Sequence, residues 1–152
     1  MTINDILSMD LSSKNILIIG SPASGKTWLA GKIKEKYQAD IIHTDEYLKY
    51  GANAIEQMLK KIPMFPYAIV EGTLGYRLLL DGHKSGLYKP CIVIHLIVSD
   101  STVQRVYEQE RDKSKIRLLP FVLKKDEKEL NKYMQMIYPN IPVWYIVTND
   151  RY

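Results

Sequence analysis

The run Gly20-Ser21-Pro22-Ala23-Ser24-Gly25-Lys26-Thr27 constrains this chain more than any other stretch. It fits G-x-x-x-x-G-K-[ST], the Walker A pattern of a loop that wraps a phosphate. Before it, Asn15-Ile16-Leu17-Ile18-Ile19 reads as a short buried strand, and after it Trp28-Leu29-Ala30-Gly31-Lys32-Ile33-Lys34 reads as a helix. That strand–loop–helix context separates a working phosphate loop from a chance match. The glycines let the backbone curl until several N–H groups point at one anion, and the helix N-terminus adds its partial positive charge. Gly20, Ser21, Pro22, Ala23, Ser24 and Gly25 are therefore expected to form the cradle. Lys26 should reach the β- and γ-phosphates of a bound nucleotide, and the Thr27 hydroxyl should sit on Mg2+. Trp28, next along the helix, is grouped with the nucleotide-binding residues. The plain alternative is a glycine-rich strand-to-helix turn with no ligand.

Length and composition add bounds. At 152 residues the chain suits one domain over positions 1–152, long enough to bury a core without staples. No apolar run approaches the ~20 residues of a membrane span. Met1-Thr2-Ile3-Asn4-Asp5-Ile6 shows no basic region followed by an apolar one, so a secretory signal is not expected and a cytoplasmic location is the default. Cys91 is the only cysteine, which excludes an intrachain disulfide and a cysteine-rich metal site. It opens an apolar strand and reads as inert core. A net charge of +4 is mild, and a solvated basic face beside an anionic-ligand site explains it as well as a nucleic-acid groove does. Nucleic acid is therefore not the favoured partner.

Strand and helix patterns alternate along the chain. The first strand spans residues 15–19 and the first helix 25–37. A second strand covers 39–43, and a second helix runs from Glu46 to Lys61 with Gly51 as its weak point. Tyr67-Ala68-Ile69-Val70 is the third strand, followed by a short helix and loop over 74–90. Cys91 to Val98 is the fourth strand. Ser101-Thr102-Val103-Gln104 fits a capping box opening a helix to Arg111, and a long amphipathic helix follows from Leu119 to Ile137. Val143 to Val147 is the fifth strand. Ile3, Ile6, Leu7 and Met9 fall at helical spacing and suit an extra docked helix. Apolar strands alternating with helices imply an α/β fold, a parallel sheet covered on both faces, with ligands beyond the carboxyl ends of the strands.

Those carboxyl ends are acidic. Asp45 follows the second strand, and a kinase must place a carboxylate beside an acceptor hydroxyl to take or orient its proton. The competing reading makes Asp45 a cap for a helix starting at Glu46, which is itself the weaker candidate for the base and otherwise an acid of the first helical turn. Glu71 ends the apolar third strand as a Walker B-type acid does and is the second candidate for Mg2+; otherwise it is a surface carboxylate. Arg105 and Arg111 follow the fourth strand and suit the charge that develops on a transferring phosphoryl group. Six positions apart, they lie about 600° apart on a helix, so both serve one ligand only if the segment frays into a lid. His43, His83 and His95 show no metal-ligand spacing and read as core or surface residues.

Together these pieces resemble the small-molecule P-loop kinases: the uridine and nicotinamide riboside kinase branch, with the shikimate, gluconate and polynucleotide 5′-hydroxyl kinase relatives. The likeness rests on Gly20–Thr27, on His43-Thr44-Asp45-Glu46-Tyr47, on Val70-Glu71-Gly72-Thr73, and on Arg105 to Asp112, which looks like the arginine-bearing lid. The resemblance implies a three-layer P-loop NTPase fold with a five-stranded parallel sheet in the order 2-3-1-4-5. It implies ATP with Mg2+ as donor, a small hydroxyl acceptor near Asp45, and Asn149 on the adenine side. The chain is shorter than most uridine kinases and lacks the segment that covers their nucleoside. A 5′-hydroxyl nucleic-acid end is the rival acceptor, and a regulatory ATPase the rival class. Intact Lys26, Thr27 and Asp45 speak against a binding module without catalysis.

Overall fold

Short runs of β-branched residues build the sheet, since such side chains pack well on a pleated surface buried on both sides. A computed structural model describes residues 3–20, 25–64, 67–72, 74–98, 132 and 141–148. It contains strands β1 (Ile16–Gly20), β2 (Asp40–His43), β3 (Ala68–Glu71), β4 (Ile92–Val98) and β5 (Val143–Thr148). All pair in parallel, in the spatial order β2-β3-β1-β4-β5. The α/β architecture and the strand order expected above both hold. Helices α1 (Ile3–Ser8), α2 (Lys26–Tyr37), α3 (Ala54–Lys61) and α4 (Gly75–Ser85) accompany the strands.

The pleat sends alternate residues to opposite faces, and each face has its own core. Leu17, Ile19, Val70 and Val93 meet Met58 of α3 and Leu78 and Leu79 of α4. Ile16, Ile18, Ile69, Ile92 and Ile94 meet Leu29, Ala30 and Ile33 of α2 and Ile3 and Ile6 of α1. The short α1 does dock as the N-terminal spacing predicts. Lys36 Nζ donates to Leu7 O at 2.6 Å, and Tyr37 Oη donates to Met9 O at 2.5 Å. Gln38 closes α2 in the left-handed region (φ 54°), with its N–H on Lys34 O at 2.7 Å.

Two expectations change. The stretch after β2 is not one α-helix from Glu46 to Lys61. A 3-10 helix runs from Thr44 to Asn53 and α3 starts at Ala54, because Gly51 sits at φ 55°, ψ −124°, outside any helical conformation. Cys91 is exposed rather than core. It precedes β4 at the amino end of the sheet, where its N–H reaches Asn15 O at 2.8 Å and its side chain meets solvent. Among the described residues, no helix is long and apolar enough to cross a membrane. The expected helices over 101–111 and 119–137 lie outside the described residues.

Candidate functional site

β1 ends at Gly20, and Gly25, with a φ of 96°, turns the chain into α2. A side chain at φ 96° would strain the backbone, which explains the second glycine of the motif. Lys26 is the first residue of α2 and is only 7% exposed. Its Nζ folds back to donate to Gly20 O at 3.1 Å, across the ends of the loop. Burial pulls its pKa down to about 8, against the opposing pull of the Glu71 and Asp45 carboxylates. A lysine buried beside two carboxylates, with its pKa lowered, is the kind of perturbed group found at functional sites.

Thr27 and Glu71 meet although 44 residues apart. The Thr27 hydroxyl donates to Glu71 Oε1 at 3.1 Å. Glu71 is the last residue of β3 and is buried, so the surface-carboxylate alternative does not apply. Register explains its next contact. β2 and β3 pair with His43 opposite Glu71, and parallel partners share a face of the sheet. His43 Nδ1 lies 2.5 Å from the same Oε1.

The turn after β3 is locked against the start of the 3-10 helix. Gly72 has φ 138°, and a Cβ there would stand 1.8 Å from Thr44 Oγ1. Only glycine fits so close an approach. Thr44 is fully buried and its Oγ1 accepts the Leu74 N–H at 3.3 Å. Asp45 then emerges exposed in the first turn. His43, not Asp45, occupies the capping position, and no side-chain capping bond forms there. The cap reading of Asp45 therefore loses its basis, while its charge is near enough to act on Lys26. Glu46 is exposed in the same turn.

The oxygen pair Thr27 Oγ1 and Glu71 Oε1 suits a hard divalent cation, because Mg2+ prefers oxygen ligands and commonly takes one or two protein donors plus substrate phosphates. Among the described residues, no group of three or more His, Cys, Asp or Glu side chains is arranged to hold a metal unaided. Phosphate oxygens would have to complete the shell. Trp28 is 38% exposed on the outer side of α2, with Lys32 Nζ 5.8 Å from its ring centroid. Ser21, Pro22, Ala23, Ser24, Arg105, Arg111 and Asn149 lie outside the described residues.

The sequence reading missed His43 and His95. Spacing along the chain says nothing of cross-strand register, which alone sets His43 beside Glu71. His95 pairs with Ile19 across β1 and β4 and is buried. Its pKa falls to about 4, first through burial and then through the Lys26 charge, so the ring is neutral at pH 7.

No family model and no curated protein matches this sequence. Solved structures do. Deoxyadenosine kinase from M. mycoides with bound dATP is 18% identical over 88% of this chain and 90% of that one, with a TM-score of 0.56. The shikimate kinase from Acinetobacter baumannii in complex with shikimate is 15% identical over 98% and 89%, with a TM-score of 0.51. A protein from Eubacterium ventriosum is 14% identical over 90% and 91%, with a TM-score of 0.52. The chain thus has the three-layer fold of P-loop small-molecule kinases. At these identities the likeness speaks for the fold alone.

Proposed function

We propose that this chain, acting as one domain over residues 1–152, is an ATP-dependent phosphotransferase. It moves the γ-phosphoryl group of MgATP to a hydroxyl of a small molecule, nucleoside-like in the first instance. One observation carries the reading: Thr27 donates to buried Glu71 at the carboxyl ends of the strands, with the buried Lys26 in electrostatic reach of both Glu71 and Asp45. In this reading Gly20 to Gly25 cradle the phosphates with backbone N–H groups, and Lys26 leaves Gly20 O to neutralise the β- and γ-oxygens. Thr27 and Glu71 would hold Mg2+, which spreads the charge of the phosphates when bound. Asp45 accepts the acceptor's hydroxyl proton as that oxygen attacks the γ-phosphorus and ADP departs. Arg105 and Arg111 are assigned to the charge on the transferring group, Asn149 to the adenine side, and Trp28 to the nucleotide end of α2. A nucleoside-like acceptor is supported by the fold shared with a deoxyadenosine kinase.

The test is an acceptor screen with γ-labelled ATP: deoxynucleosides, ribonucleosides, shikimate, a 5′-hydroxyl oligonucleotide and a no-acceptor control. Mg2+-dependent label on a small hydroxyl compound is the expected result. Label only on the oligonucleotide would change the acceptor class. Free phosphate released equally with and without acceptors would replace the kinase reading with an ATPase.

A further inference from the structure

The contact between His43 and Glu71 is not needed to hold the strands together, since the β2–β3 ladder already does so. It joins the third-strand acid to a side chain outside the phosphate loop. His43 Nδ1 and Thr27 Oγ1 approach the same carboxylate oxygen, from 2.5 Å and 3.1 Å. The imidazole reaches in from the rim: its side chain is 34% exposed, while that of Glu71 is 6% exposed. An ionised carboxylate only accepts hydrogen bonds, so Nδ1 must carry the proton in this contact. Glutamate has one more rotatable bond than aspartate and needs an outside partner to keep its head group in one place. The backbone that carries the imidazole is held. The residue after it, Thr44, is pinned between Gly72 and the Leu74 N–H.

From this geometry, and resting on the phosphoryl-transfer reading above, we propose that His43 is a positioning residue for Glu71. Its Nδ1–H holds the carboxylate facing Thr27, where the divalent cation of the nucleotide would be held. Partners of metal-ligating carboxylates act in this way: they touch neither metal nor substrate, yet their loss weakens metal affinity by roughly 10- to 100-fold.

Three substitutions separate this role from plain packing. His43→Asn puts an amide N–H near the place of Nδ1. His43→Gln carries its amide farther out, toward the place of Nε2. His43→Phe keeps a ring and removes the donor. ADP binding is measured by calorimetry across a Mg2+ series and in EDTA, beside Lys26→Ala and Glu71→Gln. The expected result is a rise of roughly 10-fold in the half-saturating Mg2+ for His43→Phe and His43→Gln. His43→Asn should stay close to the parent, and ADP affinity in EDTA should be unchanged in all three. In turnover, the apparent KM for ATP at limiting Mg2+ should rise while kcat at saturating Mg2+ returns. A parental Mg2+ requirement in His43→Phe overturns the proposal, as does an Asn variant no better than Gln. If His43→Phe does not fold, the Asn–Gln comparison decides alone. ADP affinity unchanged in Lys26→Ala would instead break the phosphate-site reading. A raised Mg2+ requirement in Glu71→Gln with none in the His43 variants removes only the role of His43.

Discussion

The two ends of the same parallel strands are built on opposite principles. At the amino end, neutral groups answer one another. Asn15 Oδ1 accepts the Ala68 N–H at 3.1 Å, Asn15 O accepts the Cys91 N–H, and Pro142 O accepts the Val93 N–H at 3.0 Å. A cavity of about 80 Å3 there is lined by Leu11, Ile16, Ile33, Tyr37, Ala39, Tyr67 and Ile69 and by the polar Ser13, Lys14, Gln38 and Asp40. At the carboxyl end, charge is held out of water. Among the described residues, the buried polar and charged side chains are Lys26, Thr44, Glu71 and His95. Lys26 follows β1, Thr44 follows β2, Glu71 ends β3, and His95 stands level with Ile19 near the end of β1. Burying a charge opposes folding unless a partner or ligand offsets it. Tolerance of that cost at one end only marks where a ligand is expected and leaves the other end as scaffold.

That contrast can be broken most directly at Lys26. Lys26→Ala removes the cation meant for the β- and γ-phosphates, and phosphoryl transfer should fall roughly 10³-fold while circular dichroism shows the fold intact. An unchanged rate would mean that the charged end is not a phosphate site. Next comes Asp45→Asn, which keeps the size and removes the basicity. Phosphoryl transfer should drop by roughly 10²-fold with melting temperature and ATP affinity preserved. Near-normal transfer would pass the role of base to Glu71 or Glu46.

The scaffold end predicts the opposite signature. Asn15→Ala leaves the Ala68 N–H without its acceptor and should lower stability by about 1–2 kcal/mol in urea unfolding. Its kcat and KM at a permissive temperature should match the parent, and an altered KM for ATP would blur the division between the two ends.

The smallest effect concerns protons. In the folded protein Lys26 titrates near 8, against 10.5 for an ordinary lysine. Between those two pH values the unfolded chain binds more protons at this position, so the contribution of this residue to stability rises with pH. Below about pH 8 the buried ammonium works against folding. An anionic phosphate beside Lys26 raises its pKa again, so ADP binding at pH 8–9 should take up a fraction of a proton. Calorimetry in two buffers of unlike ionisation enthalpy measures that uptake, and Lys26→Met should abolish it. Proton release in the parent would overturn the lowered pKa of Lys26.

Much of this was legible along the chain because it depends on neighbours in sequence. The run Ile16 to Ile19 makes a strand buried on both faces wherever it is placed. Gly25 before Lys26 and Thr27 sets a left-handed turn at the start of a helix, whereas Gly51 is legible only as a weak point of a helix and not as its break. Ile3 and Ile6 fall on one helical face at any position. The loop motif, with a strand before it and a helix after it, therefore singles out Lys26 and Thr27 from sequence alone. Asp45 and Glu71 could be picked only as acids following apolar strands.

What tertiary structure decided were the contacts between residues distant in sequence. The pairing of Glu71 with Thr27 depends on β3 lying beside β1, and its pairing with His43 depends on a register that no single-chain spacing encodes. A slip of one residue would turn His43 to the other face. Cys91 read as core from its apolar neighbours, yet it stands where the strand has not begun and solvent is at hand. Periodicity over Glu46 to Lys61 suggests one helix, while the backbone of Gly51, at φ 55° and ψ −124°, divides the segment into a 3-10 helix and α3. Local sequence set the conformation of each piece because backbone preference and side-chain pattern act over a few residues. The depressed pKa of Lys26 and the shared oxygen of Glu71 arose only when packing excluded water and brought separate strand ends together.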